Sequence, residues 1–137
     1  FTNTSPFAQE EFFRAEDALH IGLVINKSFG TSDGLGYEIL ADPQAEICKK
    51  IMFLQDGTYK VSIAARADSN SNGLVYTAIY ADGSPASWLP WTLDVVDGTF
   101  RWYHNGVHFD EVTEGWHWVC VGSDEDLDVD AILVRQI

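Results

Sequence analysis

The stretch DGTYKVSIAARADSNSNGLVY, from Asp56 to Tyr76, decides the fold class. Within it Tyr59, Val61, Ile63 and Ala65 alternate with Lys60, Ser62 and Ala64, which is the two-residue period of a strand with one face in a core. The Asp56-Gly57 pair reads as a tight turn, so Ala45 to Leu54 and Thr58 to Ala67 are expected to pair as a hairpin. The polar run from Ala67 to Gly73 reads as a loop that leads into a strand from Leu74 to Ala81.

Outward from this segment the same grammar repeats. Strands are expected at Glu11 to Asp17 and Leu35 to Leu40, with Asn26 to Gly34 as a loop rich in turn formers. Further strands follow near Trp91 to Val96, at Thr99 to His104, Val107 to Thr113, Trp116 to Val121 and Asp128 to Ile137. Asp82-Gly83, Asp97-Gly98, Asn105-Gly106 and Glu114-Gly115 supply the turns between them, and all four prolines fall in loops or at strand edges. Helical periodicity is nearly absent. Nine or ten short strands at this spacing predict an all-β sandwich of two antiparallel sheets, filling residues 1–137 as one domain.

Composition narrows the partners. A net charge of −13 repels phosphate backbones and anionic headgroups, so neither nucleic acid nor a membrane surface is expected. No apolar run approaches the roughly 20 residues of a bilayer crossing. The opening at Phe1 reads as the start of a mature or excised piece. Cys48 and Cys120 form either one disulfide of an exported protein or two buried thiols, and no CxxC or Cys/His spacing suggests zinc.

Three pieces in order resemble the jelly-roll, galactose-binding-like carbohydrate-binding modules of families 6, 35 and 36. They are FRAEDA at Phe13 to Ala18, the quoted Asp56 to Tyr76 stretch, and EGWHWVCVGSDEDLDVDAILV at Glu114 to Val134. The resemblance implies a jelly roll that binds polysaccharide or oligosaccharide without catalysis. It also implies a secreted, monomeric unit appended to a glycoside hydrolase or polysaccharide lyase.

Such a site needs aromatic planes for the apolar faces of sugars and planar polar groups for their hydroxyls. By position the resemblance assigns Tyr37 and Trp102 as the stacking rings, with the Ser123 to Asp126 loop beside them. There Asp124 and Asp126 stand where the family has Asn. Asn70 and Asn72 border the same site, Trp88 and Trp91 flank Pro90 as its wall, and His104 shares the face of Trp102 two residues earlier. On Trp116 to Val121 the family pattern turns His117, Val119 and Val121 inward. Trp116 and Trp118 then take the other face, exposed as a second site or packed under a covering segment, with covered packing the expectation.

The resemblance further implies a structural calcium between two acids of the first strand and one of the last. Glu16 and Asp130 match, whereas Arg14 replaces the remaining acid and can bridge the two carboxylates itself. Two other functions are open to the sequence. One is a protein-binding or adhesive sandwich, with the tryptophans as interface. The other is a small glycan-degrading jelly roll using acids and histidines among Asp94, Asp97, His104, His108, Asp110 and Glu111.

Overall fold

The computed structural model describes residues 8–27, 37–40, 45–123, 125 and 127–137, with the backbone alone for 26–27 and 37–40. In chain order the strands are β1 (Glu10–Arg14), β2 (Leu19–Ile21), β3 (Val24–Lys27), β4 (Tyr37–Leu40), β5 (Glu46–Phe53) and β6 (Gly57–Arg66). They continue as β7 (Leu74–Ala81), β8 (Trp88–Thr92), β9 (Arg101–Tyr103), β10 (His108–Val112), β11 (Gly115–Gly122) and β12 (Leu127–Gln136). A 3₁₀ turn, Ala15–Asp17, ends β1 at Arg14, three residues before the strand predicted there would stop.

Two antiparallel sheets result, as the alternation demanded. One has seven strands: β10, β6, β12, β4 and β3 in order, with β1 also on β12 and β9 also on β6. The other has five, in the order β2, β5, β11, β7, β8. Between them lie Ile47, Phe53, Tyr59, Val61, Ile63, Val75, Val119, Val121, Ile132 and Val134, all almost wholly buried. His117 joins that core, edge-on to Phe53 at 5.1 Å. The inward His and Val set of β11 is therefore as expected.

The Asp56-Gly57 hairpin is not formed. β5 pairs with β11 and β2, and β6 with β12, β10 and β9, so the two strands lie in opposite layers. Phe53 and Tyr59 both point inward and meet edge-on across the core, 4.7 Å between ring centroids. Tyr59 Oη donates to the Gln55 carbonyl at 2.7 Å, which fixes this sheet-to-sheet corner. Burial of both aromatic rings outweighs the local turn signal. The short β2 and β3 carry few alternations and were not distinguished in the sequence.

Cys48 and Cys120 face each other in register on β5 and β11 and form a disulfide, with Cα atoms 4.1 Å apart.

Candidate functional site

Parity on β11 sets the site. Because His117, Val119 and Val121 are inward, Trp116, Trp118, Cys120 and Gly122 face out from the five-stranded sheet. Register carries this outer face across the neighbours: Trp118 stands opposite Lys50 and Tyr80, Cys120 opposite Cys48 and Ala78, and Ala78 opposite Trp88. Cys48, Ala78 and Cys120 form a small buried cluster on which Tyr80, Trp88 and Trp118 pack. The Trp88 ring lies over Gly122, 3.8 Å from where a Cβ would stand, at ordinary contact distance.

The result is an aromatic platform on a cross-linked floor. Trp116 is 51% exposed, which overturns the expectation of covered packing for this residue. Trp118, Tyr80 and Trp88 each keep part of their surface open. Trp116 and Trp118 are separated by about 7 Å along the strand, so they offer successive surfaces.

Polar groups fix and border the platform. Asp82 accepts from Trp118 Nε1 at 3.2 Å and pairs with Lys50 Nζ at 2.7 Å, while Lys50 also sits 5.6 Å from the Trp116 ring centre. The Lys50 ammonium, followed by the Trp118 N–H, holds the Asp82 carboxyl below the usual carboxylate range. The Tyr80 hydroxyl is pushed above its usual range by burial, with Glu46 and Asp82 adding to the shift. Burial also raises Glu46, on the same face.

Among the described residues, those assigned by sequence lie on different faces of the sandwich. Trp91 is 7% exposed and belongs to the core, against the backbone of Gly106, so it forms no wall of an open site. The cause is parity: three residues apart in β8, Trp88 and Trp91 point to opposite sides of their sheet. Trp102 is 41% exposed but lies on β9, on the outer face of the seven-stranded sheet. His104 is stacked on it, centroids 5.9 Å apart and planes 5° from parallel.

Asn70 and Asn72 are exposed in the β6–β7 loop, and the Asn72 backbone N–H donates to the Glu125 carboxylate at 3.1 Å. Tyr37 is placed on β4 by its backbone, its side chain lying outside the described residues. Asp124 and Asp126 also lie outside them. Trp116, Trp118 and Tyr80, which form the platform, lie outside the set assigned by resemblance, although the alternation of β11 already offered Trp116 and Trp118 as a second, exposed surface.

At the 3₁₀ turn, Glu16 Oε2 is enclosed and has no hydrogen-bond partner among the described residues. Burial raises the Glu16 carboxyl above its usual range, and Asp17 and Asp130 raise it further. Asp130 in turn pairs with Arg14 Nη1 at 3.5 Å. An enclosed carboxylate oxygen without a hydrogen-bond partner among the described residues, near a second acid, fits a cation ligand, and the Arg14 guanidinium supplies part of that positive charge.

Three of the six groups weighed for catalysis have structural partners. Asp97 pairs with Arg101, Asp110 accepts from Thr58 Oγ1, and His104 Nδ1 is 2.9 Å from Ser62 Oγ.

No family model matches the sequence, and no curated protein matches it. Solved structures do. A carbohydrate-binding module of lichenase 5A from Cellvibrio mixtus, in complex with cellotriose, superposes with a TM-score of 0.69 at 13% identity, covering 93% of this chain and 97% of that one. The C-terminal family 6 module of LamC, a marine laminarinase from Zobellia galactanivorans, gives 0.67 at 16% identity, covering 93% and 100%. A ruminal endo-β-1,4-mannanase of glycoside hydrolase family 26 gives 0.70 at 17% identity over 99% of this chain and 27% of that one. The chain spans 18% to 29% of the length of the larger enzymes it matches. At these identities the likeness establishes the fold: a jelly-roll β-sandwich of the kind seen in carbohydrate-binding modules.

Proposed function

We propose that this domain binds a polysaccharide or oligosaccharide without catalysing its cleavage, with the outer face of the five-stranded sheet as the docking surface. The observation that carries this is the half-exposed Trp116, in line on β11 with Trp118, which shares its disulfide floor with Tyr80 and Trp88. Flat aromatic rings receive the C–H faces of pyranose units, and the Lys50–Asp82 pair at their border serves hydroxyl groups. Similar modules of full-length coverage, one of them in complex with cellotriose, support the same reading.

The domain would work as an appended unit of a glycan-degrading enzyme, raising its local concentration on an extended polymer. Matches to segments of mannanases support that arrangement. The disulfide supports an exported protein. Glu16 and Asp130 would hold a structural calcium, which supplies positive charge to the enclosed Glu16 oxygen.

The test is electrophoresis through gels containing neutral polysaccharides, alongside an assay for released reducing ends. Retardation by at least one polymer with no new reducing ends is expected. Release of reducing ends by the purified domain would overturn the non-catalytic reading, and free migration in every gel would overturn the binding reading.

A further inference from the structure

The outer face of the seven-stranded sheet carries a second constellation, on the side opposite the platform. With Tyr59, Val61 and Ile63 buried inward, Lys60, Ser62 and Ala64 project outward. Register extends the face: Lys60 stands opposite Arg135 on β12 and His108 on β10, Ser62 opposite Leu133, and Ala64 opposite Ala131 and Trp102. Small side chains at 62, 64 and 131 let Phe12 and Trp102 lean together, 6.2 Å between centroids, while Trp102 and His104 stay parallel. The Ser62 hydroxyl fixes the His104 ring.

Charge on this face is unlike that of the whole chain. There are eight Lys and Arg against 21 acids, yet Arg14, Lys60, Arg66 and Arg135 all project here. Arg14 and Arg66 are engaged by Asp130 and Asp128. Lys60 and Arg135 form no ion pair with any described residue, although Glu10 lies across from Arg135 on β1. Two cations directly opposite one another oppose the pairing of their strands. An anion placed between them reverses the sign of that interaction.

We infer that this face binds a glycan bearing carboxylate groups, a uronate-containing chain. One sugar stacks on Trp102 and His104, and the carboxylate of another unit bridges Arg135 and Lys60. The inference rests on the glycan-binding reading but uses different residues. Lys60 and Ala64, the partner of Trp102, are about 13 Å apart along β6, so ring and carboxylate belong to different units of one chain. The overall negative charge is screened beyond about 8 Å at physiological ionic strength, so the local pair decides contact energy. The repulsion that remains within that distance favours a chain with sparse carboxylates over a densely sulfated one.

Affinity electrophoresis with glucuronoxylan, polygalacturonate, a neutral β-glucan and a carrageenan tests this. The expected result is retardation by a uronate polymer that weakens between 50 and 200 mM salt. Lys60→Ala/Arg135→Ala should lower that affinity about tenfold, as loss of charged hydrogen bonds does, and leave neutral-glycan binding unchanged. Retention of full uronate affinity by the double variant, absence of uronate retardation, or preference for carrageenan would overturn the inference. The platform variant Trp116→Ala/Trp118→Ala separates the two readings. Uronate retardation that survives it supports this second face, and uronate retardation that disappears with it overturns the face. A wild-type protein retarded by uronates alone would overturn the neutral-glycan platform while supporting this site.

Discussion

The Cα atoms of Cys48 and Cys120 lie 4.1 Å apart, directly across β5 and β11, and the disulfide joining them floors the surface on which Trp88, Trp118 and Tyr80 pack. Core, cross-link and platform are thus successive layers of one sheet. The inward side chains of β11 stabilise the sandwich, and its outward ones present rings to solvent.

Removing that cross-link should destabilise the protein. With a sequence separation of 72 between the cysteines, the chain-entropy argument gives about 4 kcal/mol. Urea unfolding of Cys48→Ala/Cys120→Ala is the check: a lower midpoint is expected, together with weaker glycan retardation because the rings lose their rigid floor. Equal midpoints for the variant and the oxidised wild type would contradict this.

Asp82 should tune the platform through pH. Its carboxyl is held below the usual range, so the Lys50–Asp82–Trp118 arrangement is complete at neutral pH and is lost only as pH falls through that depressed value. Glycan affinity should therefore be flat around neutrality and fall in strong acid. Asp82→Asn should bind more weakly and show less of the acid loss, as followed by titration of tryptophan fluorescence.

Trp91 and Trp102 should behave oppositely. Trp91→Ala removes a core ring and should cost about 3–5 kcal/mol of stability, whereas the exposed Trp102→Ala should cost far less. Denaturation midpoints of the two variants give the comparison. The Trp91 Nε1 has no hydrogen-bond partner among the described residues, so Trp91→Phe should cost less than the lost volume alone would.

Calcium should raise the melting temperature, and a chelator should reverse the rise. Glu16→Gln should abolish the response, because the enclosed oxygen near Asp130 is the group that gains most from a cation. A calcium response that persists in this variant would place the ion elsewhere.

The sandwich was legible because its signal is local. Alternation in Tyr59 to Ala65 and in His117 to Val121 reports which side chains enter the core, although Ser62, Ala64 and Cys120 on the outer faces are buried as well. Layer assignment was less accessible: Asp56-Gly57 looks like a hairpin turn, but the inward faces of Phe53 and Tyr59 bring their strands to opposite sheets. The aromatic count flagged tryptophans without sorting them. Parity sorts them, sending Trp91 into the core and Trp116 to solvent, while Trp102 reaches a face that only cross-strand register reveals.

The central claim is that rings on the outer face of the five-stranded sheet hold sugar. Affinity electrophoresis of Trp116→Ala/Trp118→Ala in the neutral polymer that slows the wild type addresses it most directly, with circular dichroism to establish the fold. An affinity loss of about tenfold or more is expected, as for truncated aromatic anchors elsewhere. Undiminished retardation of a folded double variant would contradict the account.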